Sequence, residues 1–341
     1  MANFEKQFSL YQGSSTKRLG VTILFVIFLT ALPAIFSFLG YEFNTETATD
    51  GLLFQTIFIC AAIMIATMTA TLALTHYKLS HNQTIPIIGL ALIFYALSDL
   101  IYYVVLYTAA TSDASAFTLE QLPFLWAYMK AFTTFIFLIA FYFADYQNRQ
   151  GERLPLSQLA TPLLTVSAIS YIALYYLYTH SQIPATAASE ALIKRPYDLV
   201  PLAFVILCLP LIIRIFRHTP FYLAGGLLCA AIPVSVMYIY LIFFADHVFS
   251  NASHIASYLN MISYALVFLG VAFDYLCTHE YLNETKERLA FNNANLEQLI
   301  MERTSYLILM QKLAMAANQT DDKKDILRHA TEQICHHLNV W

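Results

Sequence analysis

Long apolar runs separated by short polar breaks fill the first 277 residues, and the pattern then changes to a seven-residue repeat. The runs cover about 20–40, 52–76, 85–108, 122–145, 159–180, 199–217, 220–245 and 252–277. A bilayer core takes about 20 mostly apolar residues per helix. The pattern therefore predicts an all-α integral membrane protein with eight transmembrane helices. Because the runs are continuous rather than alternating, a membrane β-barrel is excluded. The first run is too long for a signal peptide, and no small-x-small cleavage site follows it before Tyr41. Pro33, Pro210 and Pro233 are placed to kink single helices.

After helix 8, Leu282, Leu289, Leu296, Arg303 and Met310 fall seven apart. Their companions at the second seam position are Thr285, Asn292, Leu299, Tyr306 and Leu313. This is the a/d seam of a coiled coil with polar interruptions. Glu284, Lys286, Glu287, Arg288, Glu297 and Glu302 lie off the seam. No Pro or Gly intervenes, so helix 8 is expected to continue without a break into a cytoplasmic dimeric coiled coil. A solvated single helix is the alternative, but isolated helices of this polarity are marginal in water. Beyond it, Ile326, Leu327, Ala330, Ile334 and Leu338 keep helical spacing after the start signal Thr320-Asp321-Asp322. An amphipathic helix that stops at Val340-Trp341 has nothing to bury its face against. The expectation is a truncated chain, or the N-terminal part of a longer one. The domain reading is 1–19 as a cytoplasmic N-terminal segment, 20–277 as the eight-helix membrane domain, 278–315 as the coiled-coil signalling helix and 316–341 as the first helix of a further, truncated domain.

Composition sharpens this picture. Apolar residues make up 59% of the 341 residues and charged residues 12%, against about 45–50% and about 25% in soluble domains. A net charge of −4 without a basic stripe argues against a nucleic-acid partner. The five cysteines are scattered singly, so neither a disulfide framework nor a metal site is expected. Lysine and arginine set the orientation. Lys6, Lys17, Arg18, Lys78, Arg149, Arg153, Arg214 and Arg217 fall on one side, and only Lys194 and Arg195 on the other. Both termini are therefore expected in the cytoplasm, with short loops at about 41–51, 109–121, 181–198 and 246–251 outside. Those loops are too short to hold an external domain, so an outside signal would have to be received within or just above the membrane.

Three stretches carry a resemblance. "GLALIFYALSDLIYY" on helix 3 is a Gly-then-apolar run ending in an acid. "LEQLPFLWAYMKAFTTF" on helix 4 has Trp126 followed four residues later by a basic residue. "FSNASHIASYLNMISYALVF" opens helix 8, with an Asn and a His ahead of a Ser-Tyr. Together with a last helix that runs into "NETKERLAFNNANLEQLIMERTSYL", they resemble the bacterial membrane-associated sensor (MASE) families over about residues 20–315. The tail "LAMAANQTDDKKDILRHATEQICHHLNVW" is similar to the entry helix of a GAF domain. The resemblance implies signal reception and dimerisation ahead of a histidine kinase or diguanylate cyclase output, in the bacterial inner membrane. It names no ligand. Where some members place a His after the helix 3 acid, this chain reads Leu100-Ile101-Tyr102, which departs from any His-dependent site on that helix.

Two ionisable residues lie well inside the runs, Asp99 on helix 3 and Lys130 on helix 4. Asp99 lies about nine residues, roughly 13 Å, below the outer boundary, and Lys130 about eight residues, roughly 12 Å. Equal depth on consecutive helices predicts an ion pair, since an unpaired charge in lipid costs several kcal/mol. Such a pair either fixes helix register or forms the polar floor of a ligand cavity. Tyr102, Tyr103 and Trp126 surround that height. They are either part of an interfacial aromatic belt or, with the carboxylate and ammonium, a pocket for a small amphipathic molecule. Asn251 and His254 open helix 8. Asn251 or Ser250 can cap it, or the two residues can contact a ligand, which would act directly on the output helix. The candidate ligand-binding set is thus Asp99, Tyr102, Tyr103, Trp126, Lys130, Asn251 and His254.

The leading expectation is a membrane-embedded sensory input module. Its partners would be lipid, a small or lipophilic ligand of unknown identity, and a second copy of the chain. No cofactor is expected, because His76, His180 and His247 lie at helix ends or in loops rather than facing each other in mid-membrane. A membrane enzyme or a transporter is the competing class. Histidine boxes are lacking, and 9 glycines without internal symmetry do not suit broken transporter helices. No phospho-accepting His motif, Gly-rich ATP loop or GGDEF motif occurs, so this segment is expected to carry no catalytic output.

Overall fold

Apolar runs this long bury their backbone polar groups only as helices, and helices are what form. The computed structural model describes residues 20, 22–36, 48–80, 84–111, 118–150, 161, 164–173, 176, 192–218 and 222–319, with seven further positions between 324 and 335. The helices are α1 (Thr22–Phe36), α2 (Ala48–Ser80), α3 (Thr84–Thr111), α4 (Leu122–Gln150), α5 (Leu164–Ala173), α6 (Leu199–His218), α7 (Tyr222–Phe244) and α8 (Asn251–Gln319). A 3-10 turn, Pro196–Asp198, precedes α6. No strand occurs among the described residues.

Six of these helices (α2, α3, α4, α6, α7 and α8) are long and apolar enough to cross a membrane. The first and fifth expected spans are represented by the shorter apolar helices α1 and α5. The expected segment 1–19, and most of the expected final helix within 316–341, lie outside the described residues. Pro33, Pro210 and Pro233 fall inside α1, α6 and α7, which continue as helices through them.

The chain divides into two units, Met1–Thr278 and His279–Trp341. Within the first, small residues set the closest approaches, as expected where apolar burial alone does not drive helices together. Ala62, Ala66, Ala70 and Ala73 form a fully buried ridge on α2. A Cβ added to Gly89 of α3 would come within 2.9 Å of the Ala73 Cβ. Gly226 of α7 meets Gly270 of α8 even more closely. A Cβ on Gly226 would lie 2.8 Å from the Leu266 carbonyl oxygen, and one on Gly270 would lie 3.0 Å from that of Tyr222. At Gly226 a Cβ would force the facing backbone to shift, and at Gly270 the facing backbone would have to give by a few tenths of an ångström.

Side chains of α8 tie it to its neighbours along this unit. The Asp274 carboxylate accepts from the backbone N–H groups of Tyr222 (2.8 Å) and Leu223 (3.0 Å), so it caps the start of α7 from another helix. Two of the donors that a helix start leaves unpaired are thereby satisfied. His76 of α2 hydrogen-bonds Thr278 at 3.0 Å. On the neighbouring helices, Arg214 of α6 pairs with Asp145 of α4 at 3.3 Å.

In the second unit α8 continues to Gln319. Leu289, Leu296, Leu299, Tyr306 and Met310 of the heptad seam are all exposed. These are the positions that a partner helix would cover.

Candidate functional site

Asp99 and Lys130 occupy equal heights on α3 and α4, and they meet. Lys130 Nζ donates to Asp99 Oδ1 at 2.7 Å, with both side chains no more than 3% exposed. The second carboxylate oxygen belongs to α8. Tyr264 OH donates to Asp99 Oδ2 at 3.0 Å, and Asn260 Nδ2 lies 3.4 Å from it. Asn260 Oδ1 in turn faces Lys130 Nζ at 3.5 Å. Three helices thus share one buried charge centre in which each charge has an opposite charge and a hydrogen-bonding amide.

Aromatic faces complete the ammonium's surroundings. Lys130 Nζ stands 4.0 Å from the ring centroid of Tyr95 and 4.4 Å from that of Trp126. Each contact lets a desolvated cation recover roughly 0.5–2 kcal/mol from the ring quadrupole. Tyr95 also packs edge-on against Tyr264 at 5.0 Å, and Tyr102 against Trp126 at 4.8 Å. The rings hold one another and the charge centre in place. Behind Lys130, the hydroxyls of Thr133 and Thr134 both donate to its carbonyl oxygen, at 3.1 and 2.7 Å.

A second polar group lies toward the α8 N-terminus. The backbone N–H groups of Lys194 and Arg195 donate to the Ile242 carbonyl oxygen, at 2.8 and 3.3 Å. Arg195 Nη2 donates to the His247 carbonyl oxygen and to Ser253 Oγ, both at 3.0 Å. Burial pushes the Arg195 guanidinium below its ordinary pKa, while Asp198, Tyr102 and Asp246 pull it back up. Lys194 and Asp246 form an ion pair beside it. Asp198 is completely buried. From α2, Gln55 Nε2 donates to the Val248 carbonyl oxygen at 2.5 Å.

The seven candidate residues do not form one set. Asp99, Lys130, Trp126 and Tyr102 come together through direct contacts. Tyr103 is half-buried and pairs with Tyr107 at 6.3 Å. It sits one residue beyond Tyr102, about 100° around the helix, and so faces away from the charge centre. His254 is buried edge-on against Phe54 of α2 at 5.0 Å, and Asn251 is half-buried at the first position of α8. Asn251 Oδ1 and both ring nitrogens of His254 have no hydrogen-bond partner among the described residues. Helix capping at this end falls to Ser250, whose Oγ accepts from the Ser253 N–H at 3.3 Å.

Four participants were not singled out from sequence: Tyr95, Asn260, Tyr264 and Arg195. A signal for three of them exists. Tyr95 precedes Asp99 by four residues, and Asn260 precedes Tyr264 by four, so each pair shares a helix face. Arg195 had none, because in sequence it reads as a loop cation.

Among the described residues, no group of three or more His, Cys, Asp or Glu side chains is arranged to hold a metal ion. No family model, curated protein or solved structure shows significant similarity to this chain.

Proposed function

We propose that this chain is the membrane-embedded sensory input module of a bacterial signal-transduction protein. It receives a small or lipophilic ligand, or a membrane state, in the outer half of the bundle and passes the change through α8. One observation carries the reading. The helix that closes the buried charge centre with Asn260 and Tyr264 is the same helix that runs to Gln319 with exposed heptad apolar residues. An event that rearranges the Asp99–Lys130 pair therefore acts directly on α8.

In this reading the chain is a multi-pass inner-membrane protein with eight spans and both termini in the cytoplasm. It works as a parallel homodimer paired through Leu282–Leu313. The MASE-like and GAF-like stretches suggest a histidine kinase or diguanylate cyclase as the output. The ligand-binding part comprises Asp99, Tyr102, Trp126 and Lys130 near the charge centre. A ligand shifts the dimer only through its differential affinity for two arrangements, and coupling of about 1–3 kcal/mol is typical.

Disulfide cross-linking in native membranes tests the reading, with Leu289→Cys or Leu296→Cys in a background without the five native cysteines. The expected result is a cross-linked dimer whose rate of formation changes about fivefold or more when Asp99→Asn or Lys130→Met is added. No cross-linked dimer, or a rate indifferent to both substitutions, would refute it.

A further inference from the structure

Between the charge centre and the Arg195 segment lies a small cavity lined by Gln55, Tyr102, Trp126, Arg195, Ser253 and Ser257, among others. Three buried polar atoms on this lining make no hydrogen bond to any described group: Gln55 Oε1, Trp126 Nε1 and Arg195 Nε. The orientation of the Gln55 amide is fixed, since its nitrogen must face the Val248 carbonyl oxygen. The lining thus offers one acceptor from α2, one donor from α4 and one charged donor from the segment before α6. Two more such groups stand within electrostatic reach of Arg195 or of one another, the Asp198 carboxylate and the Tyr238 hydroxyl. A buried polar atom left unpaired costs about 1–3 kcal/mol, so the three on the lining call for a shared partner.

Charge and size decide what that partner is. Arg195 has Asp198 within electrostatic reach, and Lys194 pairs with Asp246 beside them. An anion would face the Asp198 carboxylate and the Gln55 carbonyl. A cation would face the guanidinium and the indole N–H. A neutral molecule that both donates and accepts satisfies all three lining atoms. The cavity measures about 20 Å³, and about 10–15 Å³ is enough for one water molecule. We propose that this cavity is a hydration site, holding one or two ordered waters that join Gln55, Trp126 and Arg195. A water accepts from the indole N–H and from Arg195 Nε–H, donates to Gln55 Oε1, and keeps one further hydrogen for a serine oxygen of the lining. Trp126 then has a wet edge and a dry face, the face lying 4.4 Å from Lys130 Nζ. Solvent from the Arg195 end reaches within one ring of the buried ion pair. The proposal does not rest on the signalling reading and stands or falls separately from it.

Trp126 and Trp341 are the 2 tryptophans of the chain, so labelling with 15N-tryptophan gives two indole and two backbone N–H signals. Trp341→Phe assigns them. In lipid nanodiscs, the Trp126 indole N–H should show a magnetisation-transfer cross-peak to water that the backbone N–H of the same residue lacks. In D2O the indole should exchange at least about tenfold faster than that backbone N–H. Ser257→Leu fills the cavity and should abolish the water cross-peak. An indole in the wild-type protein without a water cross-peak, or exchanging as slowly as its own backbone N–H, would overturn the proposal. So would a water cross-peak that survives a folded Ser257→Leu variant.

Discussion

Replacing Lys130 by Met and Asp99 by Asn, singly and together, probes the charge centre quantitatively. Removing one partner of a buried pair costs about 3–5 kcal/mol, because the other charge stays buried and unpaired. The two single variants should differ within that range. In Lys130→Met, the Asp99 carboxylate keeps the Tyr264 hydroxyl at 3.0 Å and a long contact to Asn260. In Asp99→Asn, the ammonium keeps the Tyr95 and Trp126 faces at 4.0 and 4.4 Å, the Asn260 carbonyl and a new amide oxygen. Two cation–π contacts of roughly 0.5–2 kcal/mol each favour the second case, so Lys130→Met should be the more damaging by about 1–2 kcal/mol. The double variant removes both charges and leaves mainly Tyr264 and Asn260 with weaker partners, a loss of about 1–3 kcal/mol. If the singles cost about 3 and about 4 kcal/mol, the coupling energy is then about 4 kcal/mol or more. Reversible denaturation in mixed micelles measures the free energies. Exposure of Cys208 and Cys229, buried on α6 and α7, to a thiol-reactive dye reports unfolding independently. Additive single-variant costs, with coupling below about 0.5 kcal/mol, would show that the 2.7 Å contact carries no mutual stabilisation and would remove the physical basis of the site.

Three further outcomes follow from the same geometry. Tyr264→Phe deletes one donor to Asp99 without changing shape and should cost about 1–2 kcal/mol, near the upper end for membrane hydrogen bonds. In the Lys130→Met background that cost should rise, because the carboxylate then leans on Tyr264. Gly270→Leu places a side chain where Cβ alone would lie 3.0 Å from the Tyr222 carbonyl oxygen; it should destabilise by about 1–3 kcal/mol or more, read from the same denaturation curves. A Gly270→Leu protein as stable as wild type would mean that α7 and α8 are not in glycine contact. Asp274→Ala uncaps α7 and should cost about 1–2 kcal/mol, with Cys229, less than two turns from the uncapped end, reacting with the dye before Cys208.

Much of this organisation is legible from residue order alone. Helix positions follow from apolar run length, because a helix is the only open segment that satisfies its own backbone away from water. The continuity of α8 follows from the absence of Pro and Gly between Asp274 and Gln319. Even the Asp99–Lys130 contact follows from counting, because helix rise is constant and two charges at equal depth on consecutive helices have one inexpensive arrangement. The limit of counting is rotation. Tyr102 and Tyr103 have the same depth to within 1.5 Å, yet one packs on Trp126 and the other turns to Tyr107.

Which helix faces which is decided by tertiary packing, through contacts between residues far apart in the chain. The Gly226–Gly270 contact sets how closely α7 and α8 approach. The alliance of Asn260 and Tyr264 with Asp99 spans 161 and 165 positions, and Asp274 reaches back 52 positions to cap α7. Arg195 illustrates the reason most plainly. In sequence it is a loop cation next to Lys194, and nothing local distinguishes the two. In the folded bundle Lys194 remains partly exposed against Asp246, while Arg195 is buried against Ser253 and the His247 carbonyl oxygen. Burial belongs to the assembled helices, since a residue is withdrawn from solvent only by neighbours that the chain must first bring together.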